Sequence, residues 1–522
     1  MPEESERYVN KWLVAVTVLT GTLMSAINTS SVNVALPYIQ GTIAASTTEI
    51  TWVVASYLLA NVIVMPIVAL LSQRFGRKNF YMFSSFVFTV SSIGCGFCDS
   101  LTSLIIMRII QGLGGGVLVP LAQSIMRETF PPEQHGTAMG IYGLGVVLGP
   151  ALGPTLGGYV TDSYSWRWVF FMNVPMGILN IILVRFFIFD PPYFKKSKVK
   201  IDYLGLSFMM IGLAALQIML EKGEQENWFE STFIQRLAIT SIIGLILFVI
   251  IEIKVKNPAV NLRILRNTNL AVGTFFSGII GVGLYGSLFV LPRFLQQLMG
   301  YDAFKSGVAL IPRAIAMFIA MPFAGFLYNR FRTKLIFVGM IMTSISFFML
   351  SHLNLSVDFK AIFFPQFLQG LGYGFIFVPL STTAFITIEK RLLTAAAGIY
   401  NVVRQVAGSV GTAIAATVVS ETGRNYYRVQ LIDDVNVYNH ILHNRLDDIY
   451  KALYTAGSSA YLSDQRSYKV LWDMVNEQAS MLAYNKVFYI MLLLFLFSMP
   501  CLLLFRKSKQ NFKLSKDDNT DN

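Results

Sequence analysis

Acidic side chains are scarce in the first third of this 522-residue chain: between residues 12 and 189 the only ones are Glu49, Asp99, Glu128, Glu133 and Asp162, all in loops or at the ends of apolar stretches. That excludes a carboxylate from the middle of any membrane-crossing helix in this region. Charged residues make up only 13% of the chain and hydrophobic ones 54%, with a mean hydropathy of +0.57, which excludes a water-soluble globular protein. Three cysteines are too few for a disulfide framework. Cys95 and Cys98 form a C-x-x-C with no other ligands nearby, so they read as small apolar packing groups one turn apart. His440 and His443 are also one turn apart, but no cluster around them completes a metal site. The chain has no nucleotide-binding loop, Ser/His/Asp set or metal-ligand cluster. It is therefore not read as an enzyme, and no cofactor is expected.

Long apolar runs dominate what is there. Fourteen stretches are each long enough to cross ~30 Å of hydrocarbon as a helix. They lie near residues 12–36, 51–72, 80–98, 102–125, 137–160, 168–189, 203–220, 236–253, 270–292, 306–327, 334–352, 360–386, 397–419 and 484–505. The net charge of +12 collects in alternate loops: Arg74, Arg77 and Lys78; Lys195, Lys196, Lys198 and Lys200; Lys254, Lys256, Arg263 and Arg266; Arg330, Arg332 and Lys334; and the tail from Arg506 to Lys516. Loops 37–50, 99–101 and 353–359 carry no Lys or Arg. This positive-inside pattern puts both termini in the cytoplasm and explains the basic charge without nucleic acid. The first span is longer than the 7–15-residue apolar core of a signal peptide, so it is expected to be retained.

The chain also repeats itself. Leu36-Pro37 returns as Leu291-Pro292, 255 residues on, and Leu71 to Lys78 aligns with Leu327 to Lys334 at 256. Gln111-Gly-Leu-Gly114 returns as Gln369-Gly-Leu-Gly372 at 258, and Tyr142, Gly149 and Gly153 correspond to Tyr400, Ala407 and Gly411. These matches give an N-terminal six-helix bundle over 1–201, two extra spans over 202–254, and a C-terminal six-helix bundle over 255–522. The polar segment 420–483 within the last is placed outside the membrane, as either a tether or a docking element. Parallel repeats with a site at their interface are a transporter architecture.

One span is unusual: residues 145–158 contain five glycines and two prolines. Such a ladder would ruin a soluble helix, but in a membrane it permits close helix packing. Polar groups at membrane depth are costly and are functional candidates. Arg108 stands one turn before Gln111; it either snorkels to the interface or lines a central cavity. Its counterpart is Gln366, followed by Gln369. Arg404, with Asn401 and Gln405, and Arg313, after Pro312, leave the same two readings open.

Taken together, the ladder, Arg108-Ile-Ile-Gln-Gly-Leu-Gly114, Trp166 to Gly177, Leu220-Glu-Lys-Gly223, Pro312-Arg313 and Pro365 to Gly370 resemble the fourteen-helix drug:proton antiporter branch of the major facilitator superfamily. The chain is most similar to EmrB-type permeases. The resemblance implies an all-α fold and export of amphipathic small molecules against protons, by alternating access across the bacterial inner membrane. It also implies a periplasmic adaptor and an outer-membrane channel as partners. Gly145, Gly149, Pro150, Gly153, Gly157 and Gly158 take the antiporter-motif positions. Arg74, Gly76, Arg77 and Lys78 take the cytoplasmic gating loop. Asn28, Asn33, Arg108, Gln111, Gln366, Gln369, Asn401 and Arg404 become substrate or coupling positions. The family's first-span Asp is Asn28 here, which cannot titrate, and the acid often found in the gating loop is Gln73. A cavity with Arg108 and no acid favours neutral or anionic amphiphiles, such as a fatty acid or a siderophore-like metabolite. An atypically coupled exporter or facilitator is the alternative; a non-transporting scaffold or sensor is the weakest reading.

Overall fold

The protein is described here from a computed structural model covering residues 10–190, 202–255, 258–433 and 439–505. Lys195, Lys196, Lys198, Lys200, Lys256 and the basic tail from Arg506 lie outside the described residues.

The described residues form helices and no strand. In chain order they are α1 (Lys11–Ile43), α2 (Thr47–Phe75), α3 (Arg77–Gly96), α4 (Leu101–Thr129), α5 (His135–Ser163), α6 (Trp168–Phe187), α7 (Tyr203–Lys222), α8 (Thr232–Lys254) and α9 (Thr268–Gln297). There follow α10 (Phe304–Phe331), α11 (Thr333–Leu350), α12 (Phe359–Ala384), α13 (Leu393–Val419), α14 (Glu421–Asp433), α15 (His440–Thr455) and α16 (Ala460–Ser498). Helices α1 to α6 pack on one another, as do α9 to α13 with α16. Helices α7 and α8 pair, and α7 touches both α2 and α13.

Thirteen helical segments among the described residues are long and apolar enough to cross a membrane, one for each expected stretch except that at 80–98. The helix there is α3. Arg77, Lys78 and Asn79 open it, and Ser84, Ser85, Thr89, Ser91 and Ser92 are buried along one side, which lowers its hydropathy. Those hydroxyls are satisfied inside the protein. Thr89, Ser91 and Ser92 bond to carbonyls of their own helix, and Ser85 donates to Asn180 at 2.7 Å. The other face, Phe83, Phe86, Val90, Ile93 and Phe97, is apolar and exposed at helical spacing.

The sequence offset reappears as an offset in packing. A β-carbon on Gly112 would meet the Tyr57 carbonyl and Ala60; one on Gly370 would meet the Arg313 carbonyl and Ala316. Gly116 lies against Asn61 and Val64, and Gly374 against Ala320 and Met321. Gly114 fits against Ser84 and Phe88, and Gly372 against Gly339 and Thr343. Tyr57, Ala60, Val64, Ser84 and Phe88 stand 255 or 256 residues before Arg313, Ala316, Ala320, Gly339 and Thr343, offsets found in the sequence. Small residues set these crossings because helices can then approach backbone to backbone.

Segment 420–483 is largely helical. It holds α14, α15 and the start of α16, whose 39 residues span roughly 58 Å at 1.5 Å per residue, far more than the ~30 Å of hydrocarbon. Its outer part packs on α14 and α15 and presents exposed Tyr461, Tyr468 and Trp472.

Candidate functional site

The N-terminal helices enclose a polar knot around Arg108, which is fully buried on α4. Its Nε donates to the Val53 carbonyl at 2.8 Å and its Nη1 to Gln111 Oε1 at 2.7 Å. The guanidinium lies 4.2 Å over the ring of Tyr57. Gln111 Nε2 donates to Ser92 at 2.6 Å and reaches Asn28 Oδ1 at 3.4 Å, which also accepts from Asn173 at 3.2 Å. Asn28, Gln111 and Asn173 are fully buried too.

No carboxylate is among these partners, and magnitudes show that none is needed. A buried ion costs several kcal/mol in desolvation. Two charge-assisted hydrogen bonds at roughly 1.5–3 kcal/mol each, with a desolvated cation–π contact of about 2, offset a penalty of that size. Arg108 therefore does not snorkel; it is held inside. Asn33, on the same helix as Asn28, is exposed and stands apart from the knot.

A second knot lies among α9, α10 and α12. Arg313, fully buried, donates from Nε to Gln366 Oε1 at 2.8 Å and from Nη1 to Ser287 at 3.1 Å. Gln369 is one turn beyond Gln366 and equally buried. Arg313 and Gln366 are thus brought together; the spacing gave no hint of it.

The third group joins the two sets of helices. Asn401 Nδ2 donates to Gln123 Oε1 at 2.7 Å, and the Tyr142 hydroxyl donates to Asn401 Oδ1 at 3.4 Å. Arg404 is buried, with its guanidinium 5.5 Å from the Phe377 ring, which stacks on Tyr142. Near the end of α4 and the start of α13, the hydroxyls of Ser124 and Thr394 are 2.8 Å apart.

The ladder on α5 serves two neighbours. Gly145, Gly149, Gly153 and Gly157, four residues apart, lie on one stripe against Thr22, Ala26, Ser30 and Ser31 of α1, and Ser30 donates to the Gly149 carbonyl at 3.2 Å. Gly136 and Gly140 face Gly325 and Met321 of α10, and farther along Gly158 faces Phe304. Pro150 is buried within the same helix. Gly76 takes φ 89°, a conformation that suits glycine, and turns the chain between α2 and α3. Arg77 makes a buried ion pair with Glu128, and Lys78 Nζ donates to the Arg185 carbonyl at 2.7 Å. Arg74 lies in the last turn before Gly76.

Sequence reasoning missed Tyr57, Ser92, Gln123 and Asn173. The repeat offered a signal for one of them: Tyr57 aligns with Arg313, 256 residues on.

Two helical sets joined through buried polar side chains, with helices long enough to cross a membrane, define a polytopic membrane transporter. The Major Facilitator Superfamily profile matches residues 18–412, and the chain belongs to that family. Its relatives include the multidrug export protein EmrB of Haemophilus influenzae, 32% identical over 480 residues and 92% of each chain. Another is the fatty acid resistance protein FarB of Neisseria gonorrhoeae, 29% identical over 91% of this chain and 92% of that one. Among solved structures, the human organic anion transporter MFSD10 shares the fold, with a TM-score of 0.56 at 11% identity, covering 93% of this chain and 99% of that one.

Proposed function

We propose that the protein exports amphipathic small molecules by alternating access, with a preference for anionic or neutral cargo. The observation that carries this reading is the knot around Arg108, where a buried cation faces Asn28 and no acid. A cavity of that sign attracts anions and repels lipophilic cations. The name of the related fatty acid resistance protein agrees with such cargo. In this reading α3 is the fourteenth span, since its exposed Phe83-to-Phe97 stripe suits lipid, and both termini are cytoplasmic. The bundles are 1–201 and 255–522, with 202–254 as an insertion that includes α7 beside both. The fit of Gly145 to Gly157 against α1 supports the ladder as a tight packing seam within the first half, while Gly136 and Gly140 of the same helix meet α10 of the second.

The similarity to EmrB supports an inner-membrane permease driven by protons within a tripartite system, with the helical outer segment 420–483 meeting a periplasmic adaptor that leads to an outer-membrane channel. Asn28 favours a second reading on one point: a specific exporter or facilitator not coupled through that position. Energised everted vesicles separate the two. Proton-coupled export predicts accumulation of an anionic amphiphile with collapse of ΔpH on its addition. Accumulation without ΔpH change points to the facilitator. Strong accumulation of lipophilic cations with no anion uptake overturns the cargo assignment.

A further inference from the structure

The two polar knots occupy equivalent places; the first leaves Asn28 Nδ2, Arg108 Nη2 and Asn173 Oδ1 without a partner but satisfies its glutamine, and the second does not. On α4, Gln111 is satisfied by Arg108, Ser92 and Asn28. Its counterpart Gln369 has lost the equivalents of the last two, because Ser92 and Asn28 align, 255 residues on, with Phe347 and Gly283. Both amide atoms of Gln369 are buried without a hydrogen-bond partner, as are Arg313 Nη2 and Gln366 Nε2, while the Tyr373 hydroxyl is paired with Ser287. Buried polar groups are normally satisfied, and four such atoms in one place call for an explanation.

These atoms converge. Gln366, Gln369 and Tyr373 follow at i, i+3 and i+7 on one face of α12. Arg313 bonds to Gln366 and to Ser287 of α9, and the Tyr373 hydroxyl lies beside Gly283, one turn before Ser287. The set offers three free donor atoms, a fixed positive charge and one acceptor, Gln369 Oε1. Neither the hydrogen bonds nor the ion pairs of Arg313 include a carboxylate.

From this geometry we infer that Arg313, Gln366, Gln369 and Tyr373 form a buried binding site for a small monoanion in the C-terminal half, with a carboxyl group as the best-fitting ligand. A carboxylate oxygen takes the Arg313 Nη2 and Gln amide protons. When the ligand is protonated, the Gln369 amide pairs with it at two points, N–H to carbonyl and O–H to Oε1. A halide takes the donors but leaves that acceptor unused. The site deepens the assignment of Gln366 and Gln369 to the transport path and rests on that reading only for the carboxyl group being that of the cargo. Binding is measured without transport, so either can fail alone.

The test is thermal unfolding of the full chain in nanodiscs, titrated with sodium hexanoate, sodium chloride and, as an uncharged control, hexanol. A midpoint that rises with ligand concentration reports binding to the folded state. Gln369→Glu, nearly isosteric, gives Arg313 an internal counter-ion; Gln369→Leu removes both amide atoms. Each is expected to weaken anion binding roughly tenfold or more. The midpoints without ligand report whether the variants fold, and Gln366→Leu repeats the test from the neighbouring turn. Response to hexanoate but not chloride or hexanol identifies a carboxyl headgroup; equal response to chloride identifies a free ion. No response in the parent protein overturns the site, as does a response unchanged in folded variants.

Discussion

Arg108 lies 4.2 Å over the ring of Tyr57, and at the tyrosine's repeat position the second half carries a buried arginine of its own. Arg313 stands where Tyr57 would repeat, and its partner Gln366 stands where Arg108 would repeat. Arg108 on α4 and Arg313 on α10 are thus both fully buried, on different helices of the repeat. Arginine keeps its proton under all physiological conditions, so both charges are permanent.

Arg108→Met keeps bulk and removes the charge. Replacing a buried ion by an apolar group of similar size is often neutral for stability. Unfolding midpoints are therefore expected to shift little, while anion uptake in everted vesicles falls roughly tenfold or more, the worth of a charge-assisted hydrogen bond. Unchanged uptake removes Arg108 from the transport path.

Asn28→Asp places a carboxylate within two residues' reach of Arg108, through Gln111 and Asn173. The new charge counters the cation and introduces a titrating group. Uptake of anionic cargo is expected to fall, uptake of a lipophilic cation to rise, and both to vary with pH. Parallel uptake curves for the two cargoes, unchanged from the parent, contradict the electrostatic account of selectivity.

Gly157→Ala and Gly158→Ala make the same change at adjacent positions with different surroundings. A β-carbon at 157 meets the Ser31 backbone at 2.8–2.9 Å, while at 158 the nearest atom is Val34, 3.7 Å away. The first is expected to lose about 1–3 kcal/mol by overpacking, along with export. The second is expected to be neutral or gain up to about 1 kcal/mol in helix propensity. Thermal unfolding of both variants decides; equal behaviour means the ladder is not a packing seam.

Arg77→Ala breaks the buried pair with Glu128, at an expected cost of up to about 3–5 kcal/mol. The double variant Arg77→Ala with Glu128→Ala is expected to recover part of that loss. A double-mutant cycle on unfolding midpoints measures the coupling; additive losses show that the pair contributes no interaction energy.

Ser124→Cys with Thr394→Cys replaces two hydroxyls 2.8 Å apart on different halves. Oxidation is expected to cross-link them and stop export, and a reductant to restore it. Cross-linked protein that still exports rules out separation of the halves at this point during turnover.

Much of the fold was legible because its signals are periodic or local. Apolar length marks twelve of the helices between residues 10 and 419, and 255–258-residue offsets reveal the duplicated architecture. Helix α3, expected as a span over 80–98, is less apolar than the others because its serines face inward, where neighbouring side chains and its own carbonyls satisfy them. The site was legible in part. Arg108, Gln111 and Asn28 announce themselves as polar groups in an apolar run, but Tyr57, Asn173 and Gln123 look like ordinary span residues. Their roles arise from contacts between helices 50 or more positions apart.

By itself the sequence determined that this chain lives in a membrane, that it is duplicated, and that one helix is built from glycine and proline, since hydropathy and small side chains act position by position. Only the tertiary structure decided what the polar residues do. Arg313 read as a snorkelling candidate until its bonds to Gln366 and Ser287 placed it inside. Gln369 read as a copy of Gln111 until its missing neighbours set it apart. The reason is physical: the free energy of a buried polar atom depends on the partners within about 3 Å, and those come from other helices.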